Sequence, residues 1–243
     1  MRPEDERERG WEAADAVAEG VRGAGPGEVP GRLCDVAVEL LPVSGASVSL
    51  HSDGLPVQLG ASSAQAAYVT EIQATLGDGP CQSAAESRLP VLARDLTAGQ
   101  DVLRWPVFAQ QATAAGVRAV YSMPLGNDAV CVGTLDLYRE SPGDLTDRDL
   151  LTARTVAGLM TVALMALPHM EEAGEPGAER WLSGLATDHD RVYQATGMIM
   201  AQLHIGTDEA LARLRAHAFS HGRTALDTAR DVLRHRLRFD DEF

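Results

Sequence analysis

The chain is expected to fold as an α+β protein with a small all-α unit behind it: an antiparallel sheet with flanking helices, then a bundle of three helices. Three observations predict this. Two segments of alternating apolar and polar residues are folded back on tight-turn sequences. Helical periodicities separate and flank them. Beyond residue 180 the strand signals stop and only helical spacing continues. The length agrees, since 243 residues are long for one ordinary domain and short for three.

Each element follows in order. Residues 1–27 combine charge with the cluster GVRGAGPGEVPG and read as a disordered leader. In GRLCDVAVELLP, Leu33, Val36, Ala37 and Leu40 recur at helical spacing and Pro42 ends the helix. GASVSLHSDGLPVQLGAS alternates on both sides of SDG, the pattern of a hairpin. A helix over SAQAAYVTEIQATLG stops at Gly77, and GDGPCQSAAES turns into a short helix before the strand RLPVLARDL. WPVFAQQATAAG is helical, with Pro106 in its first turn and Gly116 past its end. VRAVYSMPL and AVCVGTLDLYRE are strands joined at GND. The domain, residues 28–167, closes with a long helix whose Thr146 and Asp149 have capping-box spacing. Residues 168–180, PHMEEAGEPGAER, read as a linker, and residues 181–243 as the bundle.

Charge separates the two units further. The net charge of −14 argues against non-specific binding to nucleic acid or acidic membrane by the molecule as a whole. Yet Arg191 to Arg238 carries 8 arginines against 4 acids, which leaves −18 on the remainder: a basic island on an acidic body. All 21 basic residues are arginine. A GC-rich coding sequence and a use of planar, bidentate phosphate contacts both fit that bias. The charged opening MRPEDERERGW has no apolar core of a secretory signal. The run Val156 to Leu167 is about half of the ~20 residues a membrane span requires. A cytoplasmic protein without membrane attachment is expected. Three cysteines without CxxC spacing indicate neither a disulfide framework nor a zinc site.

In the bundle, Val192, Ala195, Ile199 and Leu203 line one helix face, Ala210, Leu214 and Ala218 a second, and Leu226, Ala229 and Leu233 a third. Thr207 is expected to cap the second helix. Gly197 costs that first helix ~1 kcal/mol relative to alanine. Either a neighbouring helix packs closely there or an outside partner does, and the spacing leaves both open. Phe219 is expected to plug the core and Tyr193 is a candidate base-stacking residue.

QATGMIM, DEALARLRAHAF and LDTARDVL together resemble the ANTAR domain, a three-helix RNA-binding module of bacterial antiterminators. The resemblance covers about 50 residues through Ala195, Gly197, Ala210, Leu214, Arg215, Ala218 and Ala229. It implies binding of paired RNA hairpins by a dimer, so that a terminator cannot form. Where that family often has lysine, this chain has Thr196, which keeps a hydrogen-bonding hydroxyl and loses a charge. The expected RNA-binding residues are Arg191, Thr196, Gly197, Arg213, Arg215, Arg223 and Arg230. Arg215 lies on the motif and Arg223 opens the third helix.

LGDGPCQSAAESRLPVLARDL, RWPVFAQQATAAGVRAVYSMPL and VGTLDLYRE resemble the GAF domain, a small-ligand sensing fold. The resemblance implies a ligand held between the sheet and its covering helices, near Tyr68, Cys81 and Trp105, with the ligand's identity unknown. Cys81 is either a thiol activated at a helix start or a small buried residue at a turn. His51 is either a metal or haem ligand or a strand histidine with an ordinary hydrogen bond, and no second ligand stands at metal spacing. No nucleophile triad or phosphate loop occurs, so no enzyme is expected. The function that follows is a ligand-responsive RNA-binding regulator acting in antitermination, as a homodimer. The alternative is a sensor whose terminal bundle docks another protein.

Overall fold

A computed structural model describes residues 3–25, 27–52, 55–127, 130–172 and 178–240. The two alternating pairs form hairpins, β1 (Gly45–Ser52) with β2 (Leu55–Ala61) and β4 (Ala119–Gly126) with β5 (Cys131–Arg139). Their turns reach into residues 53–54 and 128–129, outside the described residues. β1 also pairs with β5, and β3 (Val91–Ala93) pairs with β4. The sheet order is therefore β2-β1-β5-β4-β3, with every neighbour antiparallel.

Alternation assigns the two faces. Val48, Tyr121, Met123, Leu135 and Leu137 meet α2 (Val29–Leu40) and α7 (Asp147–Glu172), whose Leu33, Val36, Val156 and Met160 are buried there. The opposite face lies under α3 (Ala64–Leu76), α4 (Pro80–Ser87) and α6 (Pro106–Ala114). Val69, Ile72, Trp105 and Phe108 there close over Val120 and Tyr138. α5 (Gly99–Arg104), a helix without a periodic signal, precedes α6. Ser63 caps α3 by accepting from Ala66 N at 3.1 Å, and Gly77 ends it at φ +65°, a backbone conformation suited to glycine. The capping box forms at α7: Thr146 N donates to Asp149 Oδ2 at 3.2 Å and Asp149 N to Thr146 Oγ1 at 3.1 Å.

Two boundary expectations are corrected. Residues 3–20 are helical, α1 (Pro3–Gly20), rather than a disordered leader. Ala13 and Val17 are buried, with Val21 packed one turn on, so an apolar stripe at helical spacing lies against α2 and α7 and runs into the start of the glycine cluster. The expected linker at 168–180 is also shorter than its composition suggests. α7 continues through Pro168 to Glu172 and α8 (Ala178–Leu203) starts at Ala178, leaving 173–177 outside the described residues.

α8, α9 (Thr207–Ser220) and α10 (Ala225–Leu233) form the bundle around Val192, Ala195, Ile199, Ala210, Leu214, Ala229 and Val232. The third helix is rotated by about one residue from expectation, burying Ala225, Thr228 and Val232 in preference to Leu226 and Leu233. Phe219 is 44% exposed, and Phe239 takes the core position expected of it. Thr207 does not cap α9, because Gly206 occupies the N-cap and the threonine hydroxyl turns to Met200 Sδ at 3.5 Å.

Candidate functional site

On the face beneath α3 and α4, the strand register sets Ser47, Asp136 and Ser122 in a row across β1, β5 and β4. All three are fully buried. Ser47 Oγ lies 2.7 Å from Tyr138 Oη and accepts from Thr70 Oγ1 at 2.7 Å. Gln73 Nε2 donates to Asp136 Oδ2 at 3.2 Å, and Gln73 Oε1 accepts from Cys81 N at 2.9 Å. α3 thus reaches both the sheet and the start of α4 through one amide. Burial pushes the Asp136 carboxyl up to about 7, with Ser122 and Gln73 drawing it down.

Of the three residues expected at the ligand, only Cys81 joins this cluster. Its thiol is fully buried, and burial together with the Asp136 carboxylate pushes it well above its ordinary range, the reverse of activation at a helix start. Trp105 is buried in the core beside the cluster, with the Arg104 guanidinium 4.3 Å from its ring centroid. Tyr68 is 49% exposed on α3 and faces away from the sheet. His51 Nε2 lies 3.4 Å from Thr134 Oγ1, and burial lowers its value to about 4, leaving it neutral. No group of three His, Cys, Asp or Glu among the described residues could hold a metal ion.

In the bundle, Arg191, Arg223, Arg230 and Arg234 line an open cleft of about 500 Å³ between α8 and α10, together with Asp227 and Asp231. Arg223 Nη1 pairs with Asp231 Oδ2 at 2.6 Å and Arg230 Nη1 with Asp227 Oδ1 at 3.2 Å. Arg213 Nη2 pairs with Glu209 Oε1 at 3.0 Å one turn away. Exposed pairs of this kind contribute ~0–1 kcal/mol and yield readily to a phosphate. Gly197 is exposed on α8, the helix that carries Arg191, and a Cβ built on it would meet nothing within 4 Å among the described residues. Thr196 is corrected: it is buried, its hydroxyl donating to Val192 O at 2.8 Å, so it does not face a partner.

Arg215 stands apart from the other arginines. Its guanidinium is packed onto the turn after α3, where a Cβ on Gly77 would come within 2.5 Å of Arg215 Nη1. Nε and Nη2 are buried without a hydrogen-bond partner among the described residues. Two residues before Gly77, Thr75 Oγ1 accepts from Ala225 N at 2.9 Å and so holds the first amide of α10. The bundle is therefore docked on the end of the helix whose inner face carries Thr70 and Gln73.

Sequence reasoning missed Asp136, Ser122, Gln73 and Thr75. The first two had a visible signal: in AVYSMPL and GTLDLYR they share parity with Val120 and Tyr138, on a face that alternation makes interior. A contact between two domains leaves no periodic signal in either.

The family model described as GAF domain matches residues 31–164, and that described as ANTAR domain matches residues 182–233. No curated protein matches the chain by sequence. Among solved structures, the GAF domain of a phosphoenolpyruvate-protein phosphotransferase from Acinetobacter is similar at 9% identity and TM-score 0.52, covering 68% of this chain and 96% of that one. The GAF domain of a phosphoenolpyruvate-protein phosphotransferase from Coxiella burnetii is similar at 13% identity and TM-score 0.51, covering 69% and 97%. These two likenesses are of fold alone. A free methionine-R-sulfoxide reductase from Neisseria meningitidis follows at 18% identity and TM-score 0.47, covering 66% and 89%.

Proposed function

Because the chain belongs to the GAF domain family and carries an ANTAR domain behind it, we propose that it is a ligand-responsive RNA-binding regulator that promotes transcription past a terminator by binding tandem RNA hairpins. The observation that carries this reading is the double role of α3. Its inner face contributes Thr70 and Gln73 to the buried polar cluster, while its end accepts from α10 and covers Arg215. A ligand that disturbs Gln73 acts on the helix that holds the RNA-binding unit. Release of that helix end frees a guanidinium whose burial without partners is unfavourable.

The regulator is taken to be cytoplasmic, and no helix among the described residues is long and apolar enough to cross a membrane. A homodimer is supported by α7, which buries Val156 and Met160 on its own sheet while Val162 and Met165 stay exposed. Two copies would meet two hairpins with gain of avidity. Light scattering that gives a monomer at micromolar concentration would count against the dimer. No catalytic role is assigned. Thiol-dependent turnover that disappears in Cys81→Ser would reverse this.

The test is titration of the full chain with tandem-hairpin RNA at several salt concentrations. Phosphate contacts require log K to fall against log salt by ~0.7–0.9 per contact, and Arg223→Ala should flatten that slope. A reporter gene behind a terminator should show increased readthrough in the presence of the protein. The acidic partners of Arg213, Arg223 and Arg230 favour a second reading, in which the bundle docks a protein. Absence of RNA binding at low salt would establish that one in its place.

A further inference from the structure

The buried sheet face beneath α3 and α4 is apolar at one end, where Val120 and Tyr138 join Trp105 and Phe108. In the middle it is polar, and its hydrogen bonds do not close. Ser47 is satisfied by Tyr138 and Thr70, and Asp136 Oδ2 by Gln73. Asp136 and Ser122 are paired directly across β4 and β5, and the Ser122 hydroxyl lies near enough to draw the carboxyl down, but neither Asp136 Oδ1 nor Ser122 Oγ has a hydrogen bond to any further group among the described residues. A buried polar atom left short of partners is unfavourable by up to ~1–3 kcal/mol, more where the group is charged.

The charge is unmatched as well. The groups acting on Asp136 are burial, Ser122 and Gln73, and no guanidinium or imidazolium is among them. Cys81 from α4 and Tyr138 from β5 face it, both held neutral by burial. Gln73, Ser47 and Ser122, from the remaining elements, carry no charge. A carboxylate oxygen only accepts, and a hydroxyl beside it accepts or donates. Protonated, the carboxyl donates to that hydroxyl itself; what stabilises its ionised form against burial is a nitrogen bearing hydrogens and a positive charge.

We propose that Asp136 and Ser122 form the polar anchor of the GAF ligand site, and that its ligand is a small compound presenting an ammonium or amidinium group. The cation takes Oδ1 and the Ser122 hydroxyl, its charge is neutralised in place, and its remainder lies under α4 against Cys81. Gln73 shares the carboxylate with it, so ligand entry bears directly on α3. This rests on the reading of the first domain as a sensor but not on the nature of the output.

The full chain is titrated with acetamidine, n-propylamine and benzamidine, each beside its uncharged counterpart acetamide, propanol or benzamide, by thermal shift and calorimetry. At least one cation should bind while its counterpart does not. Asp136→Asn should weaken that cation ~10- to 150-fold, the range for losing a charged hydrogen-bond partner. Near neutral pH, binding should release protons, detected as a dependence of the heat on the buffer's ionisation enthalpy, because the cation favours the ionised carboxyl. Ser122→Ala, which keeps the carboxylate, should weaken it less. Binding of neither set, or equal binding to wild type and Asp136→Asn, overturns the proposal. RNA titration of the same variant separates the two readings: wild-type RNA affinity with no cation binding removes this inference alone, and cation binding without RNA affinity removes the output alone.

Discussion

Asp136, fully buried, and His51, partly buried, are two titratable residues whose effects on stability run in opposite directions. The Asp136 carboxyl sits at about 7 against an ordinary 3.8. Between those values the folded chain keeps a proton the unfolded chain has lost, so rising pH erodes stability, by up to about 4 kcal/mol at 1.36 kcal/mol per unit. His51, lowered from 6.5 to about 4, acts the other way: as pH falls through 6.5 the unfolded chain gains a proton the folded chain refuses. Asp136→Asn removes only the first effect. Its melting temperature should exceed the wild type's most above pH ~7 and converge with it toward pH ~4; a difference independent of pH would contradict this. Gly197 is the other informative residue. Among the described residues no neighbouring helix lies within reach of a Cβ there, so packing between them does not explain it. Gly197→Ala should stabilise the bundle by ~0.5–1 kcal/mol and weaken RNA binding. Chemical denaturation and RNA titration of the same variant check both; unchanged RNA affinity would mean that no partner approaches there. The glycine was legible in the sequence because it breaks a strong helical pattern, whereas Thr196 was misread because a motif position does not reveal which way its side chain points.

At the scale of elements, helices and strands were legible where apolar spacing was regular, and both hairpins and the α7 capping box follow from it. α1 was hidden because its stripe consists of alanine and valine within a charged segment, and burial against α2 and α7 supplies what propensity does not. α3 could be located but its second role could not, since Thr75 looks like any helical threonine until α10 arrives. Ala225 N is buried and depends on Thr75 Oγ1, while Thr224 Oγ1 accepts from Asp227 N at 3.1 Å to hold the rest of the turn. Thr75→Val keeps the shape and removes the acceptor. An unpaired amide at ~1–3 kcal/mol should speed hydrogen exchange across residues 225–227 by roughly 5- to 150-fold while the sheet's exchange stays unchanged. Thr75→Ser should restore protection. If both variants exchange like the wild type, α10 is not held by α3 in solution.

For the molecule as a whole, the question is whether docking and RNA binding compete. Arg215 cannot lie under the turn at Gly77 and reach a phosphate at once, so the docked arrangement withholds one of the arginines proposed to bind RNA. The acidic body adds to this, because the charge of −18 outside Arg191–Arg238 repels a polyanion approaching the docked face. Gly77→Ala puts a Cβ 2.5 Å from Arg215 Nη1 and strains a backbone at φ +65°, so it weakens docking from the sensor's side without altering any bundle residue. A shift of ~1–2 kcal/mol in that equilibrium corresponds to about 5- to 30-fold in population. If docking is inhibitory, Gly77→Ala should raise the RNA affinity of the full chain toward that limit and Arg215→Ala should lower it. The double variant should behave as Arg215→Ala alone, since freeing a side chain that has been removed gains nothing. Fluorescence anisotropy with labelled hairpin RNA at one fixed salt concentration measures all four proteins. Independent, additive effects in the double variant would show that Gly77 acts on RNA binding by a route other than Arg215.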